Sequence, residues 1–277
     1  MTGVRSLSGG ALAHSVLAAG LVDPDLLSTW IREPARLAAI GVDPKTIDLD
    51  SLADFAGLVE KVRQNPCRMY LQLTFRLLAL TGLEIELFRD YAPTSVRRRQ
   101  LGLNSPIERV DGLANFVESW AKDEDPVRSL IRDVLRHEHA LALLFAATGV
   151  LGADARRVGP SGRSIPTHSG VVLVRTLSCD PEQVSRVIRQ RIPDLASIER
   201  GRWTFAYHRG ADGRIQQLTV EQGVGDLLLL VDGETCVGDI AEQLFGDRAA
   251  VESLLSAFDQ LAKAGLLGWR PDEALAT

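Results

Sequence analysis

The hydrophobic pattern of the chain changes its period across a segment rich in glycine, proline and serine, residues 149–170. Before this segment, apolar residues recur every three or four positions, which is the spacing of amphipathic helices. Beyond it, short runs typical of strands alternate with helical stretches. A chain of 277 residues has room for about two domains. The pattern therefore predicts an α+β protein, with an all-helical N-terminal domain (1–148), a linker (149–170) and an α/β region (171–277).

Start and stop signals divide the first domain into helices. Apolar residues from Leu49 to Val62 repeat at three and four positions, Asp48 or Asp50 can cap the start, and Pro66 limits the end, which predicts a helix over 49–64. Further helices are predicted over 68–80, over 84–91 with Pro93 closing it, over 106–122 and over 126–147.

The region after the linker predicts a mixed order of elements. These elements are a strand at 171–175, a helix at 181–191, a hairpin of 203–208 with 215–220, a helix at 222–231, a short extended segment at 235–237, and helices at about 238–245 and 248–264. The final Gly265-Leu-Leu is interpreted as a helix stop followed by an apolar anchor.

Composition narrows the cellular setting. Hydrophobic residues make up 45% of the chain, but no apolar run approaches the roughly 20 residues that a membrane helix needs. The N-terminal segment does not resemble a signal peptide, so none is expected. The three cysteines are odd in number, widely spaced and without a CxxC pair. These features favour a reducing compartment, and we expect a cytoplasmic protein without a membrane partner.

Charge is distributed unevenly along the chain. Residues 156–202 contain nine arginines against four acids, whereas residues 221–273 contain eleven acids against three basic residues. Nucleic-acid binding needs basic side chains on the element that meets phosphate. The acidic C-terminal end therefore argues against a nucleic-acid partner.

The segment Arg136-His137-Glu138-His139 superficially resembles a zinc signature. In that signature the two histidines lie four residues apart on one helical face, whereas His137 and His139 are two apart and diverge by about 200°. No metal site is predicted here. Glu138 falls within the apolar arc of its helix and needs a partner, for which Arg68 and Arg76 are candidates, because an unpaired buried charge is costly.

Other catalytic signatures are absent from the sequence. The chain contains no GxSxG, no GxGxxG, no GxxxxGK[ST] and no CxxC. The segment at 159–164 lacks the lysine that a phosphate-binding loop requires. No catalytic residue is assigned, and we expect the chain not to be an enzyme by itself.

The C-terminal part carries the most specific pattern. Residues 229–244 read LLVDGETCVGDIAEQL and follow a predicted hairpin and helix. This phrase resembles the PqqD-like family of winged-helix modules, which recognise precursor peptides in pathways that modify ribosomally made peptides. The resemblance implies such a module at about 202–270, with a peptide added as a strand beside Thr235–Val237 and packed against the last helix. The peptide-binding residues implied are Thr235, Cys236, Val237, Leu254, Phe258 and Leu261.

The helical half carries a second resemblance, in the segment Asp133-x-Leu-Arg-His-Glu138. It is similar to the accessory partner proteins of multinuclear non-haem iron-dependent oxidative enzymes that modify precursor peptides. The resemblance implies a non-catalytic subunit that presents a precursor peptide to the oxidase in a natural-product biosynthesis pathway. Iron is then expected in the oxidase, with no cofactor in this chain, and the implied enzyme-docking residues are Arg136, His137 and Glu138.

Two other functions remain open from the residues. A winged-helix fold also serves transcription regulators, although acidic residues such as Glu252 and Asp259 on the last helix disfavour DNA binding. A metal-dependent enzyme centred on the helix of His137, Glu138 and His139 would need ligands that the sequence does not reveal.

Overall fold

The computed structural model describes residues 9–122, 124–147, 161–210, 212–246 and 250–270. It is a mixed α+β structure, as the sequence predicts. Contacts divide the chain into two compact units, Met1–Leu135, here called the helical unit, and Arg136–Thr277, here called the sheet unit. Among the described helices, none has the length and apolarity needed to cross a membrane.

The helical unit is built from helices joined by short connections. The helices are α1 (Gly9–Val22), α2 (Pro24–Arg32), α3 (Ala35–Ala39), α4 (Leu49–Arg63), α5 (Gln72–Thr81), α6 (Glu84–Gln100), α7 (Pro106–Trp120) and the first half of α8 (Pro126–Ala146). Short 3-10 turns occupy Pro44–Thr46 and Asn65–Met69.

Local capping sets the predicted helix starts. The side chain of Asp48 accepts a hydrogen bond from the Ser51 N–H at 3.0 Å and caps α4. Ser105 and Glu108 form a capping box at the start of α7, with Pro106 as its first residue. The predicted starts of these two helices, at residues 49 and 106, are confirmed.

Two helix boundaries were predicted wrongly. The 3-10 turn at Asn65–Met69 takes the place of the first turn of the predicted 68–80 helix. Helix α6 continues through Pro93 to Gln100, although a proline inside a helix removes one hydrogen bond. Beyond Pro93, side chains of α6 bond to α4: Ser95 and Arg99 both donate to Glu60, Arg99 at 3.1 Å. The contacts between α6 and α4 therefore outweigh the helix-breaking tendency of Pro93.

The sheet unit combines five described strands with four helices of its own and the second half of α8. The strands are β1 (Ile165–His168), β2 (Val171–Leu177), β3 (Trp203–Arg209), β4 (Ile215–Val220) and β5 (Leu267–Arg270). The helices are α9 (Pro181–Ile188), α10 (Gln222–Leu229), α11 (Val237–Phe245) and α12 (Val251–Lys263).

The strands form two antiparallel sheets. The larger has the order β2-β3-β4, and its β3–β4 hairpin agrees with the prediction. The smaller pairs β1 with β5, so that Ile165 faces Arg270 and His168 faces Leu267. Strand β1 lies inside the segment predicted as linker, of which residues 149–160 lie outside the described residues. Strand β5 follows the predicted helix stop at Gly265.

The three-stranded sheet is packed on both faces. On one face, Phe205 and Tyr207 of β3 pack with Leu144 of α8. On the other, Ala206 belongs to a core shared with α10, α11 and α12. At the end of β3, the Arg209 guanidinium donates to the carbonyl oxygen of Leu144 at 2.8 Å, near the end of α8. The second half of α8 is therefore part of the sheet unit, whereas the sequence pattern placed all of this helix in the first domain.

Candidate functional site

The residues that carry the PqqD-like resemblance form the turn that leads into α11. One carboxylate oxygen of Asp232 accepts from the backbone N–H groups of Glu234 and Thr235, both at 2.8 Å, and the other accepts from Thr235 Oγ1 at 2.6 Å. The hydrogen bonds from the Thr235 side chain and backbone, followed by that from Glu234, lower the pKa of Asp232 to about 2. Gly233 has a φ of 78°, which favours glycine. The Asp-Gly-x-Thr pattern thus has a clear local structural role.

Residues Thr235–Val237 do not form the predicted strand. Cys236 is the extended N-cap of α11, and Val237 is the first residue of that helix and is buried. The Val237 N–H donates to the Ser164 carbonyl at 3.1 Å, and the Gly238 N–H donates to the Gly162 carbonyl at 2.8 Å. Because the chain's own residues already use these donors, a peptide strand cannot pair there without displacing them.

The predicted peptide-binding residues on the last helix lie in the core. Leu254, Phe258 and Leu261 are all buried, and Phe258 is 0% exposed. The ring of Phe258 meets that of Trp269 edge to face, with centroids 6.3 Å apart. These side chains pack α12 against the rest of the sheet unit and do not form an exposed groove.

The outer edges of the three-stranded sheet are the alternative place for strand addition. Among the described strands, β2 and β4 each pair only with β3. On β2, the Arg175 guanidinium donates to the backbone carbonyl of Val174 at 2.9 Å. Strand β4 carries no charged side chain, and its Gln216 and Thr219 are exposed. Charged side chains commonly protect sheet edges from pairing, so β4 presents the more open edge.

The predicted docking residues lie on the second half of α8. His137 and Glu138 are buried, while Arg136 is partly exposed. His137 Nδ1 lies 3.0 Å from Tyr207 Oη. Burial lowers the pKa of His137 to about 4, so the ring is neutral near pH 7. Because His137 and Glu138 are inside the fold, they cannot form an exposed docking face, and that prediction is wrong for these two side chains.

The burial predicted for Glu138 is confirmed, since this residue is 6% exposed. Pairing of Glu138 with Arg68 or Arg76 stays a prediction; Arg68 donates to Glu84 at 2.8 Å. Over the described ranges, no group of three or more His, Cys, Asp or Glu side chains is arranged to hold a metal ion.

An exposed apolar stripe on α4 was missed by the sequence reasoning. Phe55, Leu58 and Val62 are 51%, 42% and 57% exposed. Their spacing of three and four places them on one helical face. The available signal was the pair Phe55 and Leu58, apolar residues that fall outside the repeat predicting the buried face of this helix, which consists of Leu49, Leu52, Ala53, Ala56, Val59 and Val62. Val62, which the pattern assigned to that buried arc, belongs to the exposed stripe instead.

No protein-family model matches the chain, and no curated protein matches it. Functional assignment therefore depends on the geometry of the two units and on the resemblances carried by residues 133–138 and 229–244.

Proposed function

We propose that this protein is a non-catalytic partner subunit that binds a ribosomally made precursor peptide and presents it to a non-haem iron oxidase for modification. The sheet unit supplies the peptide site, and the helical unit supplies the contact with the oxidase. Iron belongs to the oxidase in this proposal, and the chain needs no cofactor of its own.

The order of elements in the sheet unit is the observation that carries the proposal. The antiparallel sheet β2-β3-β4, with α9 between β2 and β3 along the chain, is followed by three helices, α10 to α12. The resemblance implies a hairpin followed by helices within about 202–270, and the β3–β4 hairpin with α10 to α12 follows that order, although Thr235–Val237 is not a strand. The Asp232–Thr235 turn lies between the first and second of these helices. The order of the hairpin and helices and the sequence phrase at 229–244 are the two observations that support the proposal.

The peptide is proposed to add as a strand on the outer edge of β4. Main-chain hydrogen bonds supply affinity in this mode of recognition, and alternate side chains supply specificity. Strand β4 is uncharged along Ile215–Val220, whereas Arg175 bonds to a backbone carbonyl of β2 at the other edge. This location replaces the one beside Thr235–Val237, where the backbone donors of Val237 and Gly238 bond within the chain.

The oxidase is proposed to contact the exposed stripe of Phe55, Leu58 and Val62 on α4. Exposed apolar side chains that cluster on one face are typical of protein interaction surfaces. The stripe replaces His137 and Glu138, which are buried.

The proposal is tested by co-expressing the chain with a non-haem iron oxidase and a short cysteine-containing peptide, both encoded by neighbouring genes. Size-exclusion chromatography with metal analysis should show a stable complex that contains iron only when the oxidase is present. Stoichiometric metal on the chain alone would overturn the proposal and favour a metal-dependent enzyme. A Leu58→Glu variant should lose the oxidase from the complex yet still bind the peptide.

Amide hydrogen exchange locates the peptide. Binding should protect amides of β4 and leave those of β2 unchanged. Thr219→Lys should weaken peptide binding because a lysine on an edge strand opposes pairing. Thr176→Lys, at an exposed threonine of the opposite edge strand, is the matched control and should bind normally. Equal effects of the two variants, or protection confined to β2, would contradict the assignment to β4.

A further inference from the structure

A cleft lined by arginines lies in the helical unit. It has a volume of about 560 Å³ and is formed by the ends of α1, α4 and α6 and the first turn of α7. The lining residues are Val22, Arg63, Val96, Arg99, Gln100 and Arg109. Half of these residues carry a positive charge, and none carries a carboxylate.

A single buried carboxylate lies beneath these arginines. Glu60 is 1% exposed, and it accepts hydrogen bonds from Arg99 at 3.1 Å and from the Gln64 side chain at 2.6 Å, and another from Ser95. Arg63 lies 3.7 Å from the same carboxylate. One negative charge is therefore shared between two guanidinium groups.

The third guanidinium is held by neutral oxygens. Arg109 donates to the Asn104 carbonyl at 2.9 Å, to Asn104 Oδ1 at 2.6 Å and to the Arg63 carbonyl at 2.7 Å. These bonds orient the group without neutralising it. Three guanidinium groups against one carboxylate leave two positive charges at the cleft.

A second, smaller space shares two of the cleft's arginines. Arg99 and Arg109 also line this space of about 10 Å³, together with Gln64 and Ser95, which is close to the minimum for one water molecule. Arg98 reaches the same space, and its buried Nε has no hydrogen-bond partner among the described residues. Arg98 does not line the cleft itself, and its Nε packs against Gly112 of α7.

These features select an oxyanion ligand. Arginine forks match carboxylate and phosphate groups in a bidentate manner, and helices that already hold the side chains reduce the entropy lost on binding. The cleft is several times larger than one small anion, and Val22 and Val96 give it an apolar wall. The formal net charge of −5 on the whole chain disfavours a long nucleic acid.

We infer that this cleft binds an acidic polypeptide segment in which at least two carboxylates flank an apolar side chain, with the carboxylates on Arg63 and on the Arg99–Arg109 pair. This cleft is a different site from the proposed peptide site on β4, so failure of the proposed function would not exclude binding at the cleft.

Fluorescence anisotropy with a labelled peptide of alternating glutamate and valine, titrated with the full chain, tests this inference. Arg63→Gln should weaken binding about tenfold, the loss expected for one charge-assisted pair. Arg97→Gln is the matched control, because Arg97 is on α6 outside the cleft and pairs with Asp25; it should bind as the parent does. Val22→Glu, at a side chain 73% exposed, should also weaken binding by placing a like charge at the wall.

Thermal unfolding of each variant shows whether it remains folded. Absence of binding by the parent chain, or equal loss with Arg63→Gln and Arg97→Gln, would overturn the inference. So would a site that takes inorganic phosphate in an Arg63-dependent manner while ignoring the glutamate-valine peptide, since that result identifies a small-anion site. A glutamine-valine peptide should not bind, and its binding would also contradict the charge-based assignment.

Discussion

The two units bury their polar groups in different ways. In the helical unit, buried carboxylates are matched with cations: Glu84 lies 2.6 Å from Lys61 and 2.8 Å from Arg68, and Glu60 bonds to Arg99. In the sheet unit, Glu138 is the buried carboxylate among the described residues, and most of the buried polar side chains are neutral, such as the pair His137 and Tyr207 and the β3 residue Thr204.

This difference follows from the architecture of each unit. Helices packed on helices bring long side chains from neighbouring elements together, so buried charges find partners across the helix interfaces. A sheet covered on both faces has buried side chains at consecutive positions of its central strand, here mostly apolar or neutral, such as Phe205, Ala206 and Tyr207. Both units have apolar cores, and the helical unit adds paired buried charges across its helix interfaces.

The largest expected effect tests the apolar core of the sheet unit. Phe258→Ala should lower the free energy of unfolding by about 3–5 kcal/mol, because a large buried ring is removed. Phe245→Ala is the matched control, since Phe245 is 60% exposed. Urea unfolding followed by amide hydrogen exchange reports the two units separately. If both variants lowered the free energy of unfolding by a similar small amount, the sheet unit would not depend on this buried ring.

The next effect tests the buried charges of the helical unit. Glu60→Gln should cost about 2 kcal/mol, because Arg99 loses its buried anionic partner while remaining partly exposed. Glu33→Gln removes an exposed carboxylate paired with Arg36 and should cost less than about 1 kcal/mol. Equal costs in urea unfolding would show that the buried network has no special importance.

The smallest effect concerns the neutral pair in the sheet unit. Burial holds the pKa of His137 at about 4 in the folded protein, below its ordinary value of 6.5. The stability that comes from the neutral ring is therefore present above pH 6.5 and is lost as the pH falls from 6.5 towards 4. Between pH 7 and pH 5 the loss should be roughly 1–2 kcal/mol.

His137→Gln should flatten that part of the pH dependence, measured as unfolding free energy at each pH. Tyr207→Phe provides a second probe: it removes the hydroxyl 3.0 Å from His137 and should cost about 1 kcal/mol at pH 7. A pH profile unchanged by His137→Gln would indicate that other groups govern stability in this range.

Local signals predicted much of the helical unit and of the β3–β4 hairpin. Caps such as Asp48 and Ser105 act within one turn, so their effect can be recognised in the sequence alone. The same reasoning wrongly predicted that the helix ends before Pro93, whereas α6, packed on α4, continues to Gln100. It also failed at Thr235–Val237, because the Asp232 turn and the bonds to Gly162 and Ser164 shape that segment.

The candidate sites were less predictable than the elements. A helical pattern identified Glu138 as buried, but it could not show that His137 would lie against Tyr207, 70 residues later. The arginine cleft joins residues from four helices, and no single segment contains its pattern.

The sequence by itself determined the helical first part, the mixed second part and most helix starts, because these depend on periodicity and capping among near neighbours. Tertiary structure alone decided that the second half of α8 packs on the sheet, that β1 pairs with β5 and that Leu254 and Phe258 are buried. Each of these outcomes depends on contacts between residues far apart in the chain, whose free energy appears only when the whole core is assembled.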